Sequence, residues 1–135
     1  MLFLLDTNAF SDVMENHPRV VGRLRRVSAS DRVVICTIVR GEILFGIERL
    51  PPGKRRANLE RTAGHVFADL RCESPDADVA DMFSRLKREC QAAGSSVADN
   101  DLWIAATAVS LDATLVTRDA DLSRVPGLLL EDWST

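Results

Sequence analysis

The sequence predicts an α/β fold in which a central, mainly parallel sheet of four to five short strands carries helices on both faces. Short apolar runs alternate along the chain with longer stretches of helical periodicity. Strands that lack a polar face are typical of parallel sheets buried on both sides. The 135 residues, of which 46% are hydrophobic and 27% charged, suffice for one domain with its own core. We therefore expect a single domain spanning residues 1–135.

Four short runs have the character of buried strands. Residues 2–5 (LFLL) come first, and residues 33–36 (VVIC) follow a polar stretch. Residues 114–117 (TLVT) and 128–130 (LLL) complete the set. Because helical patterns separate these runs, we expect crossover connections and parallel pairing.

Helical patterns fill the segments between the strands. Pro18 suits the first turn of a helix, and residues 51–53 (PPG) interrupt the chain. Apolar side chains recur at helical spacing from Val79 to Cys90, and Gly94 is a natural stop. The predicted helices are a weak one after Asp6, then residues 18–27, 37–50, 54–70, 76–93 and 99–111.

The sequence offers no feature of a membrane or secreted protein. The N-terminal apolar run ends at Asp6 without a basic leader, so it predicts neither a membrane span nor a signal peptide. The three cysteines, Cys36, Cys72 and Cys90, are odd in number and form no CxxC pair. We expect reduced thiols that fill the core of a cytoplasmic protein.

Positive charge is concentrated in the first half of the chain. Residues 1–61 carry 11 Lys and Arg against 7 Asp and Glu, a balance of +4, whereas residues 62–135 carry 6 against 13, a balance of −7. Basic clusters can bind phosphates beside an acidic metal centre, although a solvated helix face explains each cluster equally well. The candidate phosphate-binding residues are Arg23, Arg25, Arg26, Lys54, Arg55 and Arg56.

Four acidic residues lie at or near the ends of apolar elements. Asp6 follows the first strand, Glu42 lies within a helical pattern, Asp101 opens a helix, and Asp119 follows the run at 114–117. The carboxyl ends of parallel strands meet at one edge of a sheet, where ligands bind. Carboxylates gathered there repel one another unless a cation compensates them. This pattern predicts a site for a hard divalent metal ion.

Each acid also has a simpler explanation. Asp6 could cap a helix, and Asp119 with Asp121 could form a turn. Glu42 could pair with Arg40 or Arg49. Asp99 or Asn100 is expected to cap the last predicted helix, which leaves Asp101 on the face shared with Ala105 and Ala108, pointing toward the strand ends.

Other kinds of catalytic site find little support. His17 and His65 stand alone, and the chain has no HExxH motif, so a zinc site is not indicated. A GxSxG elbow, a P-loop and a GxGxxG loop are all missing. Asn8 stands where a haloacid dehalogenase would place its second aspartate.

Several motifs in order resemble those of PIN-domain proteins, and specifically the VapC-type toxins of prokaryotic toxin–antitoxin pairs. They are LLDTN at 4–8, GEILFG at 41–46, NDLWIAA at 100–106, LVTRD at 115–119, VPGL at 125–128 and EDW at 131–133. Together these motifs cover nearly the whole chain.

The resemblance implies a single PIN-like domain and a metal-dependent endoribonuclease that is inhibited by a cognate VapB-type antitoxin and forms a homodimer. It assigns Asp6, Glu42, Asp101 and Asp119 as the catalytic, metal-binding set. The resemblance adds Thr7 and Thr117 as supporting residues. Asn8, Asp99 and Asp121 are further supporting candidates, although the family's pattern does not demand an acid at Asp99. Oxygen ligands favour one or two Mg²⁺ ions, with Mn²⁺ able to substitute. The basic residues named above would then hold the RNA backbone.

Two other functions fit the same sequence. One is a PIN-fold nuclease that processes RNA or DNA without an antitoxin, and the other is a catalytically inactive PIN-like binding module. The chain contains no Tyr, and Trp103 is predicted to lie in the core. We therefore expect no aromatic surface on which nucleobases could stack.

Overall fold

The computed structural model describes residues Met1 to Thr135 and contains one five-stranded sheet. Its strands are β1 (Leu2–Leu5), β2 (Arg32–Cys36), β3 (Arg71–Glu73), β4 (Thr114–Val116) and β5 (Leu129–Glu131). The strand order is β3-β2-β1-β4-β5, and every neighbouring pair is parallel. The prediction of an α/β fold with a parallel sheet is confirmed.

Six α-helices connect the strands. They are α1 (Thr7–Met14), α2 (Pro18–Arg25), α3 (Thr37–Glu48), α4 (Lys54–Asp69), α5 (Ala77–Ala92) and α6 (Asp99–Ser110), and a short 3-10 helix spans Ala120–Arg124. From β1 to β3 the chain moves toward one edge of the sheet, and from β3 it crosses back to β4. Because such crossovers are right-handed, α1 to α4 cover one face, and α5 and α6 cover the other.

The core lies on both sides of the central strands. Leu4 in β1 pairs in register with Val34 of β2 and Leu115 of β4, and all three side chains are buried. Truncation of such a leucine to alanine typically costs about 2 to 5 kcal/mol. Phe3 packs edge-on against Trp133 near the C-terminus, with ring centroids 5.3 Å apart. The buried parts of β1 and β2 are apolar because neither face of the sheet meets water there.

Helix ends follow local sequence signals. The Asp76 carboxylate accepts a hydrogen bond from the Val79 N–H at 3.0 Å and caps α5. Gly94 stops that helix with a φ of 72°, a conformation that costs glycine little. No helix has both the length and the apolar character that a bilayer span requires.

The structure differs most from the sequence prediction at two elements. Strand β3 was not predicted, because it has three residues and begins and ends with the charged Arg71 and Glu73. The expected cap of α6 is wrong. Ala98 occupies the N-cap position without a side-chain hydrogen bond, and Asp99 is already helical. The Asp99 carboxylate instead accepts a hydrogen bond from the Lys87 ammonium at 3.0 Å, which draws it away from the helix end.

Candidate active site

The carboxyl ends of β1 and β4 lie side by side at the centre of the sheet. Leu5 pairs with Val116, and the Asp6 N–H donates to the Val116 carbonyl at 3.1 Å. The connections leave these two strands in opposite directions, and ligands bind at such a switch point in open parallel sheets. Asp6 follows β1 and Asp119 lies three residues beyond β4, so the fold brings both acids to this edge.

Asp6 is buried and serves as the cap of α1. Its Oδ1 accepts a hydrogen bond from the Ala9 N–H at 2.8 Å. Burial raises the pKa of the Asp6 carboxyl, and the charge of Asp119 raises it further. Hydrogen bonds from the Thr117 hydroxyl and the Ala9 N–H oppose this rise. Capping explains why an acid stands here, but it does not remove the cost of the buried charge.

Asp101 and Glu42 bring two further carboxylates to the same edge. Burial raises the pKa of the half-buried Asp101 carboxyl, and the charges of Asp119, Glu42, Asp6 and Asp121 raise it further, in that order. The side chain of Asp101 forms no hydrogen bond or ion pair, whereas Glu42 Oε1 accepts a hydrogen bond from the Thr7 hydroxyl at 2.6 Å. The carboxylates are therefore close enough to repel one another.

The segment after β4 forms a compact turn that holds Asp119. The Asp119 N–H donates to the Thr117 hydroxyl at 3.0 Å, and Asp119 Oδ1 accepts from the Asp121 N–H at 2.9 Å. Asp119 thus caps the 3-10 helix. Oδ2 of Asp119 forms no hydrogen bond and is free to bind a ligand. Asp121 is exposed and supports the turn through its backbone.

No cationic side chain forms an ion pair with these four acids. The structure forms seven ion pairs, and none includes Asp6, Glu42, Asp101 or Asp119. In particular, Glu42 pairs with neither Arg40 nor Arg49. A site that collects carboxylates, raises the pKa of Asp6 and Asp101 and gives none of the four acids an ion-pair partner suits a hard divalent cation.

The side chains of the four acids are not arranged around a single point. No three His, Cys, Asp or Glu side chains lie close enough together to hold one ion. Asp101 has no partner and Glu42 has only the Thr7 hydroxyl, so rotation of these two side chains breaks few contacts. Their oxygen atoms, together with those of Asp6, are the chemically appropriate ligands for Mg²⁺ or Mn²⁺.

The other acidic and polar candidates take different positions. Asp99 is paired with Lys87 on the outside of α5 and α6. Asn8 is exposed in the first turn of α1, and its side chain forms no hydrogen bond. Thr7 and Thr117 each contact a carboxyl of the site, as described above. Of the five predicted supporting residues, Thr7, Thr117 and Asp121 lie within the site.

A cavity of about 590 Å³ opens beside Glu42. Thr7, Asn100 and residues from one face of α3 line it, including Phe45 and Arg49. An adjoining groove of about 370 Å³ also contains Thr7, Glu42 and Arg49, and it adds Arg55 from α4. Both spaces are open to solvent and large enough for several atoms of a polar ligand.

The six candidate phosphate-binding residues lie at different places in the structure. Arg55 faces the groove that contains Glu42, whereas Arg56 pairs with Glu48 at 3.2 Å and with Glu60 at 2.9 Å. Lys54 is exposed and forms no ion pair.

The three arginines of the first cluster lie elsewhere. Arg23 stacks on the rings of Phe3 and Trp133, and it lines, together with Arg26, a cavity that contains none of the four acids. Arg25 is exposed at the end of α2. The fold does not bring these three arginines into the spaces beside Glu42.

An ion pair that sequence reasoning missed joins the two sides of the switch point. Arg118 Nη1 donates to both carboxylate oxygens of Asp12, at 3.1 and 3.0 Å. The Asp12 side chain is 7% exposed and that of Arg118 is 47% exposed. Asp12 belongs to the helix that Asp6 caps, and Arg118 precedes Asp119. The partners are 106 positions apart, so the sequence carries no local signal of the pair.

Comparison with known proteins identifies close structural relatives. The profile of the PIN domain matches residues 3–128. Ribonuclease VapC1 of Haemophilus influenzae (strain R2866) is 27% identical, with 99% of each chain covered. VapBC2 of Rickettsia felis, solved with a DNA fragment from the promoter, superposes with a TM-score of 0.90 at 26% identity, covering 98% of this chain and 99% of that one. VapBC-1 of nontypeable Haemophilus influenzae gives 0.88 at 25% identity over the full length of both chains.

Proposed function

This chain belongs to the PIN domain family, and from that premise we propose that it is a metal-dependent endoribonuclease acting as the toxin of a VapBC-type toxin–antitoxin pair. The observation that carries the proposal is the set of four carboxylates without ion-pair partners at the carboxyl edge of the sheet. Relatives that match this chain along its whole length are named ribonucleases. The reaction is hydrolysis of an RNA phosphodiester bond.

We assign the metal ion to Asp6, Glu42 and Asp101, with Asp119 in a supporting position. When bound there, a Mg²⁺ or Mn²⁺ ion would supply a water of lowered pKa and would stabilise negative charge that develops on the phosphate. Thr7 orients the Glu42 carboxylate through its hydroxyl, and the Ala9 N–H fixes one oxygen of Asp6. The free Oδ2 of Asp119 is suited to orient a water. Four acids can serve one ion or two.

The chain offers no convincing nucleophile of its own at this edge. Cys36 stands at the end of β2, but burial raises the pKa of its thiol, so the thiol stays protonated near neutral pH. Arg49 and Arg55 line the space beside Glu42 and are placed to bind backbone phosphates. The remaining basic candidates, including Arg23, would extend the contact with a longer RNA.

The cognate antitoxin is expected to hold the toxin inactive in the cytoplasm. Structural neighbours of this chain are VapBC complexes, two of them described as bound to DNA. By the same likeness we propose a homodimer. Light scattering of the antitoxin-free protein should give twice the chain mass of 14.9 kDa at micromolar concentration. A monomer under those conditions would contradict the proposed assembly.

Cleavage of RNA by the purified protein tests the function. The wild-type protein should cut RNA in Mg²⁺ or Mn²⁺ and stop when a chelator is added, and Asp101→Asn should abolish the cutting. Asp112→Asn is the matched control, because Asp112 is exposed, stands before β4 and has a φ of 53° that asparagine tolerates. Full activity of the Asp101→Asn protein, or equal loss in both variants, would contradict the site.

The toxin role needs a separate test in cells. Induced expression of the wild-type protein should stop growth, and co-expression of a small antitoxin encoded beside it should restore growth. Asp101→Asn should be harmless with or without the antitoxin. RNA cleavage in vitro without growth arrest in cells would instead favour a processing nuclease that works without an antitoxin.

A further inference from the structure

One aromatic side chain stands out because it is exposed at the rim of the candidate active site. Phe45 is 67% exposed and lines the same cavity as Glu42, three residues earlier on α3. The sequence led us to expect no aromatic surface for stacking, because Trp103 was predicted to be internal. Trp103 is indeed occupied by a stack on Phe83, with centroids 4.0 Å apart.

The remaining aromatic rings are not available to a ligand. Phe3, Phe10 and Trp133 are buried. Phe67 stacks on Phe10 with ring centroids 4.9 Å apart. Phe45 is therefore the only Phe or Trp ring that has no aromatic partner and has most of its surface in water. A ligand that covered this ring would remove apolar surface from water, which is favourable.

Phe45 stands on a helix face that carries two glycines. Gly41, Glu42, Phe45, Gly46 and Arg49 share this face, since they are spaced by four residues or adjacent to such positions. A methyl group added at Gly41 or Gly46 would meet no atom within 4 Å. The two glycines thus create a flat surface on which a planar group could lie against the ring.

The chemistry of the cavity favours a nucleobase over an apolar protein segment. Of its nine lining residues only two are hydrophobic, Ile38 and Phe45. Arg49 lines the cavity and can bind a phosphate, and Asn100 carries an amide that can hydrogen-bond a base edge. Leu44, the neighbouring exposed apolar residue, does not line the cavity. An apolar docking surface would be expected to include it.

We propose that Phe45 stacks on one unpaired nucleobase of the RNA and so positions the adjoining phosphate beside Glu42. This inference rests on the proposed ribonuclease function and deepens it, because it assigns a base-binding subsite and a requirement for an unstacked nucleotide. Base stacking on an aromatic side chain depends little on sequence, since every base offers a π face. Removal of such a ring weakens binding by roughly 5- to 150-fold.

Fluorescence anisotropy of labelled ten-nucleotide oligouridine tests the subsite. Every protein also carries Asp101→Asn, which prevents cleavage during the titration. Phe45→Leu, which keeps an apolar side chain but removes the ring, should raise the Kd by at least about 5-fold. Phe45→Trp should bind as tightly as phenylalanine or more tightly. Leu44→Ala is the matched control and should leave the Kd within about 2-fold.

A second series removes the base instead of the ring. Oligouridines with one abasic position each should identify a nucleotide whose base contributes to binding by the protein with Phe45, and the same abasic change should have no effect on the Phe45→Leu protein. This coupling is the signature of a direct stack, and a merely structural role of Phe45 would not produce it.

Three results would overturn the inference. The first is a Kd for Phe45→Leu within 2-fold of that of the protein with Phe45. The second is an abasic effect of equal size in both proteins. The third is loss of the dimer by light scattering in Phe45→Leu and Leu44→Ala alike, which would assign the ring to an interface between two copies. If RNA binds through Phe45 but the wild-type protein cuts no RNA in Mn²⁺, the proposed function fails and the subsite stands.

Discussion

Removal of Arg118 should destabilise the protein more than its partly exposed position suggests. Arg118 Nη1 donates to both carboxylate oxygens of Asp12, whose side chain is only 7% exposed. Loss of one partner from a fully buried pair costs about 3 to 5 kcal/mol, and an exposed pair contributes about 0 to 1 kcal/mol. Because Asp12 is buried and Arg118 is half exposed, we expect Arg118→Ala to lower the free energy of unfolding by about 2 to 3 kcal/mol.

Urea denaturation monitored by circular dichroism measures this loss. At about 4 °C per kcal/mol, the melting temperature should also fall by roughly 8 to 12 °C. The double variant Arg118→Ala with Asp12→Asn should recover part of the stability, because it no longer leaves a buried carboxylate without a partner. Arg124→Ala, an exposed arginine without an ion pair in the next turn, is the control and should change stability by less than about 0.5 kcal/mol. A cost for Arg118→Ala below that limit would refute the reasoning.

Three further predictions concern the acids and the groove. Without metal, Asp101→Asn should unfold at higher urea than wild type at pH 7, because the raised pKa of the Asp101 carboxyl penalises the charged folded state. This gain in stability should fade as the pH falls toward 3.8, the ordinary pKa of an aspartate, and a gain independent of pH would contradict the prediction. Asp119→Asn should reduce cleavage only about 10- to 100-fold, and high Mn²⁺ should restore the activity. A loss that high Mn²⁺ does not restore would identify Asp119 as a primary ligand. Arg55→Ala should lower the salt slope of RNA binding by about 0.7, whereas Arg25→Ala with Arg26→Ala should change it less; the reverse order would move the RNA path to α2.

The sequence predicted the elements whose signal is local. The apolar run of β1, the start of α2 at Pro18 and the stop of α5 at Gly94 were recognisable from the sequence. Hydrophobic burial and backbone conformation are encoded there within a few residues. Strand β3 was not recognisable, since Arg71 and Glu73 flank a single central residue. Its pairing with β2 depends on the sheet already formed.

The candidate acids could be predicted for the same reason, but their surroundings could not. Asp6 and Asp119 follow strands that are evident in the sequence, and parallel topology then brings them together. The distinction between Arg55, which faces the groove, and Arg56, which pairs with two glutamates, depends on how α4 packs on α3. The exposure of Phe45 likewise follows from tertiary packing, because its apolar side chain alone suggests a core residue.

The position of a bound metal ion tests the central claim most directly. Crystals of the wild-type protein grown or soaked in Mn²⁺ and measured at the manganese absorption edge should show an anomalous peak at the carboxyl ends of β1 and β4. Carboxylate oxygens of Asp6 and Asp101 should lie about 2.1 Å from that peak, and Glu42 should have turned toward it. A peak bound by other residues, or no peak in crystals of protein that cleaves RNA in Mn²⁺, would contradict the assignment of this site.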